Sequence, residues 1–503
     1  MRHALLFSVF VIASCGLAYE LVAGALSSYL LGDSVMQFST VIGTYLFAMG
    51  VGSWLSKYIT RDLIGRFIQI ELMVGLLGGF SAIGLFMVFT WLSGPFKLVL
   101  YLAVFGVGML VGLEIPLVMR ILKRELAFKD LVSQVLTFDY LGALAVSVLF
   151  PLILAPHIGL VRTGLLFGLL NVAVALWALH LFRDQLPARR GLLLQSWSAF
   201  VVLVTGFAGA GQLTTLAESH VYADDIVHAE STPYQRIVVT RWRDDLRLFL
   251  NGNLQFSSHD EYRYHEALVH PGLASLPAAR RVLVLGGGDG LAVREILKYP
   301  QVEQVILVDL DAGMTDLFST APTLVALNQG ALKSPKVKVI NADALSWLED
   351  SREHFDYIVV DFPDPANFAL GKLYTSAFYR LLEKRLAANG LIVIQSTSPL
   401  YARQSFWCVV TTLEEAGFRT APYHALVPSF GEWGFILAAR GNTALPDGSS
   451  AVNLEKTRFL TAEILPDLFR FPADMARVPA EPNRLNNQVL VRYFEAEWRK
   501  VIR

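Results

Sequence analysis

Two aspartates, Asp361 and Asp364, are the side chains of this sequence best spaced for chemistry. They belong to the segment DFPDP (residues 361–365), whose prolines stiffen a loop that follows an apolar run typical of a buried strand. A third acid, Asp289, lies inside a glycine-rich turn, GGGDG, at residues 286–290. Three carboxylates around one crevice repel one another unless a cation lies among them. The pattern therefore favours a ligand that carries ammonium groups, with solvated turn acids and a divalent metal as the alternatives.

The glycine-rich turn lies between two apolar runs. The first run, residues 282–285, enters the turn, a helix-like pattern leaves it, and the second run ends at Asp309. This β–turn–α–β arrangement, with an acid about 20 residues beyond the turn, is typical of a dinucleotide or nucleoside site. Because Asp289 would repel a pyrophosphate, the turn favours a ligand that is neutral or cationic at this point over NAD or ATP.

The elements that must position these acids form an α/β pattern. Further strands are predicted at 337–341, 355–361 and 390–395, and helical stretches alternate with them. Such alternation predicts a doubly wound, mainly parallel, Rossmann-like sheet, in which ligands bind beyond the carboxyl ends of the strands. The residues at those ends, which we expect to converge on one crevice, are Gly286 to Gly290, Asp309, Asp343, Asp361 and Gln395.

Two of these acids have a structural alternative. Asp309 could hold ribose hydroxyls or simply end a strand, and its spacing from the glycine turn favours ribose. Asp343 could accept a hydrogen bond from an adenine amino group, or it could cap a helix over residues 344–348.

A shorter pattern precedes this domain. Residues 218–258 alternate in polarity over short runs, and Asn251-Gly252-Asn253 is a hairpin signal, so we predict a small antiparallel sheet followed by a helix that begins near Asp260.

The first 216 residues differ in composition from the rest. Hydrophobic residues make up 54% of the chain, and the excess lies before residue 217, where uncharged runs approach the ~20 residues that cross a bilayer. The hydropathy pattern predicts seven spans, at 4–31, 35–56, 68–92, 96–119, 137–156, 160–182 and 191–214. The net charge of -1 argues against a nucleic-acid partner, and the two distant cysteines argue against a disulfide framework or a zinc site.

Four acids lie within or at the edge of the predicted spans: Glu20, Glu71, Glu114 and Asp139. Each is costly in hydrocarbon, so each should face the helix bundle or a polar cavity. They could form a path or pocket for a cationic amine, or they could make hydrogen bonds between helices or lie near an interface.

The segment 218–440 resembles the polyamine aminopropyltransferases (spermidine synthases), and the leading spans resemble the bacterial membrane-bound form of that family. The pieces that carry the resemblance are Tyr234-Gln235-Arg236-Ile237, Leu250-Asn251-Gly252, Asp260-Glu261-Tyr262, Tyr264-His265-Glu266, the glycine turn, residues 361–365 and Gln395. We accordingly expect four parts: seven spans (1–216), a small β domain (217–268), a Rossmann-like catalytic domain (269–440), and a linker with a helical tail (441–503).

The resemblance implies aminopropyl transfer from decarboxylated S-adenosylmethionine to putrescine, which yields spermidine and methylthioadenosine. Asp361 would be the catalytic proton acceptor. The residues implied for the nucleoside are Gln235, Gly286, Gly288, Asp309, Asp343 and Ala344; those implied for the polyamine are Tyr264, His265, Asp289, Asp364 and Gln395. It implies no metal and no prosthetic group, and it leaves a homodimer or homotetramer open.

The sequence departs from the family pattern mainly on the acceptor side. Phe362-Pro363 stands where small hydroxyl residues are usual, Phe368 stands where proline is usual, and residues 427–435 lack a usual tyrosine. On the nucleoside side, Asp309 replaces a common Glu and Ala344 a frequent Gly. These changes bear on the acceptor amine more than on the nucleoside. A methyltransferase that uses intact S-adenosylmethionine and a non-enzymatic polyamine-binding or transport protein are the alternative functions.

The charges flanking the spans predict an orientation that conflicts with this chemistry. Basic residues follow the second, fourth and sixth spans: Lys57, Arg61, Arg66, Arg120, Lys123, Arg124, Lys129, Arg183, Arg189 and Arg190. The positive-inside rule makes these loops cytoplasmic, and seven spans then place everything after residue 217 outside. We expect a multi-pass inner-membrane protein whose catalytic domain is cytoplasmic, because its co-substrate is cytosolic. The seventh segment, which carries Gln195 and Ser196, is then the candidate for a re-entrant or interfacial helix.

Overall fold

The computed structural model describes residues 2–31, 34–91, 95–123, 128–222, 224–447 and 457–501. Contacts divide the chain into two compact units, an N-terminal unit (Met1–Ile226) and a C-terminal unit (Val227–Arg503). The finer division into four parts stays a prediction.

The N-terminal unit is built from long apolar helices. They are α1 (Arg2–Leu31), α2 (Ser34–Leu55), α3 (Leu63–Trp91), α4 (Phe96–Leu122), α5 (Phe128–Leu149), α6 (Leu160–Leu181) and α7 (Arg189–Val221). A 3-10 turn, Ser56–Tyr58, extends α2, and a π-helical segment, Phe150–Ile158, extends α5. Within the described residues, seven helices are long and apolar enough to cross a membrane, and the seventh segment, Arg189–Thr214, is one of them.

The third and fifth helices begin earlier than the predicted spans, at Leu63 rather than 68 and at Phe128 rather than 137. The added turns carry Arg66, Lys129 and Asp130. Hydropathy measures the apolar part of a helix, whereas the backbone hydrogen bonds continue through charged residues that lie toward its end.

Glycines bring the helices of this bundle into close contact. A Cβ atom on Gly52 of α2 would lie 2.0 Å from the carbonyl oxygen of Met109 on α4, and one on Gly112 of α4 would lie 2.2 Å from the carbonyl oxygen of Met49 on α2. Small residues at such crossings let helix backbones pack directly, which is the usual basis of helix association in apolar surroundings.

The predicted small antiparallel sheet follows the helices in the sequence. Its strands are β1 (Asp225–Ser231), β2 (Arg236–Trp242), β3 (Asp245–Leu250) and β4 (Asn253–Ser257), paired in that order. Asn251 and Gly252 join β3 to β4 with φ values of 50° and 80°, the left-handed conformation that a two-residue hairpin requires.

The main sheet has seven strands in the order β10-β11-β9-β8-β5-β6-β7. They are β5 (Arg281–Gly286), β6 (Gln304–Asp309), β7 (Val337–Asn341), β8 (Phe355–Asp361), β9 (Leu386–Gln395), β10 (Arg419–Val427) and β11 (Gly431–Ala439). Strands β5 to β9 are parallel, and β10 and β11 add an antiparallel edge. The predicted fold class is therefore confirmed.

Helices cover both faces of the main sheet. They are α8 (Glu261–Leu273), α9 (Leu291–Ile296), α10 (Ala312–Thr320), α11 (Pro322–Leu327), α12 (Ala344–Asp350), α13 (Phe368–Gly371), α14 (Ser376–Arg385), α15 (Arg403–Glu415) and α16 (Val489–Val501). Along β5, Val282 and Val284 face one apolar core, while Leu283 and Leu285 face the other. Burial on both faces explains why the strand is a continuous apolar run.

The tail folds back onto its own unit. Fully buried Glu266 of α8 accepts hydrogen bonds from the backbone N–H groups of Arg458, Phe459 and Leu460, at 2.6, 2.8 and 3.0 Å. At the far end, the ring of Trp498 on α16 lies 6.2 Å from that of Tyr401.

We predict that Glu266→Ala lowers the free energy of unfolding by about 2–4 kcal/mol, because three N–H groups lose a charged acceptor. Chemical unfolding measures the loss, and hydrogen exchange should show it at residues 458–460. Glu303→Ala is the control, since its ion pair with Arg280 is mostly exposed and should be worth little. Equal effects of the two substitutions would contradict this role for Glu266.

Candidate active site

The register of the parallel strands brings the acids to one edge of the main sheet. Gly286 pairs with Asp361 across β5 and β8, and Asp309 pairs with Asn341 across β6 and β7. Gln395 ends β9, next to β8. The structure therefore brings the carboxyl ends of these strands to one edge of the sheet, as predicted. Asp343 follows β7 at the same edge.

The glycine turn is shaped by close backbone contacts. Gly286, Gly287 and Gly290 have φ values of 79°, 66° and 75°. A Cβ on Gly286 would lie 2.3 Å from the carbonyl oxygen of Asp361, and one on Gly288 would lie 2.7 Å from Asp309 Oδ2. Glycine is required here because side chains would fill the space between the two strand ends.

Asp361 and Asp364 have different partners. The Tyr264 hydroxyl donates to Asp361 Oδ1 at 2.6 Å. The Thr397 hydroxyl donates to Asp364 Oδ2 at 3.1 Å, whereas Asp364 Oδ1 is buried and has no hydrogen-bond partner among the described residues. Burial raises the pKa of both carboxyls, that of Asp364 to about 7. Thr397 itself has a φ of 36°, a strained conformation for a β-branched residue that holds its hydroxyl on Asp364.

Gln395 positions the loop that carries the two acids. Its side-chain amide donates to the carbonyl oxygen of Phe362 and to the Tyr374 hydroxyl, the latter at 2.9 Å. The indole N–H of Trp433 donates to Gln395 Oε1 at 3.1 Å. Both ends of the Gln395 amide are thus engaged, and its side chain supports the loop between Asp361 and Asp364.

A chain of buried charges holds His265. Its Nδ1 lies 2.8 Å from Glu261 Oε2, and Arg294 donates to both oxygens of Glu261 at 2.8 and 2.9 Å. Burial alone lowers the pKa of His265, but the hydrogen bond and charge of Glu261, with the charges of Asp289 and Asp361, raise it to about 9. His265 is therefore a cation next to the acids at neutral pH.

Asp289 lies within electrostatic range of His265. Its Oδ1 accepts the backbone N–H of Leu291 at 2.8 Å, which provides a hydrogen-bond acceptor for the first residue of α9. Burial raises the pKa of Asp289 to about 6; the charge of Asp361 raises it as well, while His265 opposes the rise. Three carboxylates and one imidazolium form an anionic crevice.

Asp309 and Gln235, both implied for the nucleoside, have different hydrogen-bond partners. Asp309 accepts backbone N–H groups from Gly288 (Oδ2, 3.0 Å) and Asp311 (Oδ1, 2.8 Å), and burial raises its pKa to about 6. Gln235 donates to Asp311 Oδ2 at 2.8 Å rather than to Asp309.

Asp343 has the structural role that the sequence left open. It caps α12 by accepting the Ser346 N–H at 3.1 Å, and Lys372 Nζ lies 2.9 Å from its other oxygen. Burial opposes ionisation, but the hydrogen bonds from Lys372 and Ser346 outweigh it and lower the pKa of Asp343. Ala344 is the buried first residue of α12.

Sequence reasoning missed Arg294, Asp311 and Thr397, and it named Glu261 only within the segment 260–262 that carries the family resemblance. Each acts through a partner distant in the chain: Arg294 is 33 residues from Glu261, and Asp311 is 76 residues from Gln235. Nothing local to these residues signals the contact. In the described part of the chain, no group of three or more His, Cys, Asp or Glu side chains is arranged to hold a metal ion.

Comparison with known proteins gives a consistent result. Residues 261–446 match the family model of the spermine/spermidine synthase domain. Polyamine aminopropyltransferase 2 of Ralstonia nicotianae is 62% identical over 508 residues, which cover 99% of each chain. Polyamine aminopropyltransferase of Leptospira interrogans is 52% identical, with 100% of each chain covered. The resemblance inferred from the residues is confirmed, and it decides against a methyltransferase or a non-enzymatic protein.

Among solved structures, one titled as spermidine synthase in complex with the transition state analogue AdoDATO covers 49% of this chain and 85% of its own. Its sequence identity is 22% and its TM-score 0.44.

We predict that Glu261→Gln weakens the pH dependence of stability between pH 6.5 and 9. The pKa of His265 in the folded chain, about 9, lies above the value of about 6.5 in an unfolded chain, so its protonated form stabilises the fold below pH 6.5 and the stabilisation is lost as the pH rises to 9. The wild type should lose about 2–3 kcal/mol of unfolding free energy over this range, and the variant much less.

Unfolding by denaturant at pH 6.5 and pH 9.5 measures both losses. Glu230→Gln, which removes the acid of the more exposed His228–Glu230 pair, is the matched control and should behave as the wild type. A loss as large in Glu261→Gln as in the wild type would show that Glu261 does not hold the charge of His265.

Proposed function

This chain belongs to the polyamine aminopropyltransferase family, and we propose that it transfers the aminopropyl group of decarboxylated S-adenosylmethionine to putrescine, forming spermidine and methylthioadenosine. The observation that carries the proposal is the buried Oδ1 of Asp364, which has no hydrogen-bond partner among the described residues and lies in the same loop as Asp361. A buried carboxylate oxygen without a donor is costly unless a ligand supplies one.

The acceptor side of the crevice suits a diamine. Putrescine carries an ammonium group at each end, and the crevice has two carboxylates three residues apart with different surroundings. The far ammonium would donate to Asp364 Oδ1, and the reacting nitrogen would lie at Asp361. Asp289 adds negative charge, while the cationic His265 offsets part of the charge of Asp289 and Asp361.

Asp361 would accept the proton that the reacting amine must lose. An alkylammonium has no lone pair and cannot attack, and the pKa of Asp361, raised by burial, makes it a stronger base than a solvated carboxylate. The Tyr264 hydroxyl occupies Oδ1, which leaves Oδ2 for the amine proton. Tyr264 thereby orients the base.

The bond changes balance without a further reactant. The amine nitrogen forms a bond to the carbon next to the sulfonium, the carbon–sulfur bond breaks, and its electron pair returns to sulfur. Methylthioadenosine leaves as a neutral thioether, so no negative charge develops on the leaving group. Binding of the far ammonium aligns the lone pair for in-line attack, which is the main contribution to the rate that we assign to the crevice.

The nucleoside would lie along the glycine turn. Each oxygen of Asp309 accepts one backbone N–H, and each retains a lone pair for a ribose hydroxyl. Gly286 and Gly288 let the ligand approach the backbone, and Gln235, Asp343 and Ala344 complete the nucleoside side. For Asp343, ligand binding would add to the capping bond and the Lys372 contact.

We predict that the purified full chain releases methylthioadenosine from decarboxylated S-adenosylmethionine when putrescine is the acceptor. A panel of amines of different length and charge, followed by chromatography of the nucleoside product, identifies the acceptor. Asp361→Asn should lower kcat by about 10²–10⁴, the usual contribution of general base catalysis, while nucleoside binding persists.

Asp350→Asn, at an exposed position on the end of α12, is the matched control and should retain wild-type turnover. Folded protein that releases no methylthioadenosine with any amine would overturn the proposed reaction. If Asp361→Asn loses nucleoside binding together with turnover, Asp361 is a structural residue.

We further propose that the apolar helices lie in the cell membrane, with the seventh segment re-entrant or interfacial, and that the C-terminal unit faces the cytoplasm, where its charged substrates are made. Six crossings agree with cytoplasmic basic loops under the positive-inside rule, whereas seven crossings would place the C-terminal unit outside. A homodimer or homotetramer stays a prediction.

We predict that protease cleaves the polar linker at residues 441–447 in sealed inside-out vesicles and spares it in sealed right-side-out vesicles. Detection of the released C-terminal fragment by an antibody to the tail gives the result. A linker protected in inside-out vesicles and cleaved in right-side-out ones would place the C-terminal unit outside.

A further inference from the structure

Thr397 follows β9 in a backbone conformation that is unusual for its residue type. Its φ of 36° lies in the left-handed region, where a β-branched side chain is strained. Such strain persists only where the surroundings hold the backbone, and it is concentrated at functional sites. Thr397 lies two residues beyond Gln395 and is 1% exposed, so its hydroxyl acts inside the protein.

Strand β11 holds the strained backbone in place. The Ser396 N–H donates to the carbonyl oxygen of Gly434 at 2.9 Å, and the Gly434 N–H donates to the carbonyl oxygen of Thr397 at 2.8 Å. A Cβ on Gly434 would lie 2.9 Å from that Thr397 oxygen and would overlap the ring of Phe406. The two strands therefore continue to pair beyond the end of β9, and Thr397 belongs to a tightly packed segment.

The loop that carries Asp364 is held through its main chain. The side-chain amide of Gln395 and the Tyr374 hydroxyl both donate to the carbonyl oxygen of Phe362, the hydroxyl at 3.2 Å. The Ala366 N–H donates to the carbonyl oxygen of Asp364 at 2.7 Å. These bonds fix the backbone around Asp364, and a separate contact is needed to fix the rotation of its carboxyl group.

The Thr397 hydroxyl supplies that contact. It donates to Asp364 Oδ2 at 3.1 Å, while the buried Oδ1 has no hydrogen-bond partner among the described residues. Burial raises the pKa of Asp364 to about 7, and the hydrogen bond from Thr397 is the largest effect that opposes the rise. The hydroxyl thus occupies one oxygen, favours the ionised carboxylate and leaves the other oxygen open to a ligand.

We propose that Thr397 is a positioning residue that fixes the carboxylate of Asp364 and thereby sets the preference of the acceptor site for a diamine over a monoamine. This inference rests on the proposed aminopropyl transfer, in which Asp364 Oδ1 receives the far ammonium of the acceptor. A bound monoamine has no group for that oxygen and leaves it buried without a donor, which costs binding free energy. The discrimination therefore depends on how firmly Asp364 is held.

Loss of the hydroxyl should affect a diamine more than a monoamine. Thr397→Val keeps the β-branched shape and removes the donor, so the carboxyl group of Asp364 gains rotational freedom and is less fully ionised at neutral pH. We expect the KM for putrescine to rise about tenfold or more, as for the loss of a hydrogen bond to a charged group, with kcat within about threefold. The inhibition constant of n-butylamine, a monoamine competitor, should not rise by more than about twofold, because it does not reach Asp364.

Steady-state release of methylthioadenosine by the purified full chain measures these constants. Thr397→Ser keeps the hydroxyl without the methyl group, so it separates the hydrogen bond from the backbone strain, and it should restore the KM for putrescine to within about threefold of the wild type. Thr411→Val is the matched control. The Thr411 hydroxyl donates to the carbonyl oxygen of Trp407, four residues earlier in α15, and its loss should leave all the constants at their wild-type values.

Thr397→Gly is the second variant if Thr397→Val does not fold, since glycine adopts a positive φ without strain and lacks the hydroxyl. It should show the same rise in KM. The inference is overturned if a folded Val or Gly variant keeps the wild-type KM for putrescine, if n-butylamine loses affinity in parallel with putrescine, or if Thr397→Ser does not restore the KM. A wild-type chain that transfers no aminopropyl group to any amine would instead refute the proposed function, and this inference with it.

Discussion

Desolvation of carboxylates is the constraint on which the structure of the catalytic crevice depends. Asp289, Asp309, Asp361 and Asp364 lie at one edge of a sheet whose strands are buried on both faces, and burial raises the pKa of each. Without compensating contacts, these carboxyl groups would be protonated and would no longer carry the negative charge that attracts a cation. The surrounding contacts therefore supply partial compensation, and the ligand is left to supply the rest.

The compensation differs from one acid to the next. Asp309 receives two backbone N–H groups, Asp289 receives one and lies near a cationic His265, and Asp361 receives a tyrosine hydroxyl. Asp364 keeps one buried oxygen with no partner among the described residues. Under the proposed function, Asp309, which already accepts two backbone N–H groups, would hold the neutral sugar, and the buried Oδ1 of Asp364 would accept from an ammonium. The same sheet edge would then bind the nucleoside on one side and the amine on the other.

A related constraint acts in the helical bundle. Glycine contacts such as Gly52 with Met109 bring the helices of the bundle close together, and Glu71 and Glu114 are fully buried in that bundle. Glu71 is stabilised by an amide and Glu114 by no described hydrogen bond. Each unit therefore contains an acid, Asp364 or Glu114, with a buried oxygen that has no hydrogen-bond partner in the described ranges.

The sequence by itself determined the elements and the place of the acids. Apolar runs, the glycine turn and the Asn-Gly hairpin are local signals, and they correctly predict the main sheet, the small sheet and the seven apolar helices, because periodicity and turn conformation depend on near neighbours. Only the tertiary structure decided which of the described polar side chains are paired, and with which partners. Asp343 proved to be paired with Lys372, Glu261 with Arg294, and Gln395 with Trp433, and these partners are 29, 33 and 38 residues apart. Hydrogen bonding and desolvation act through space, so their outcome becomes visible only once the chain has folded.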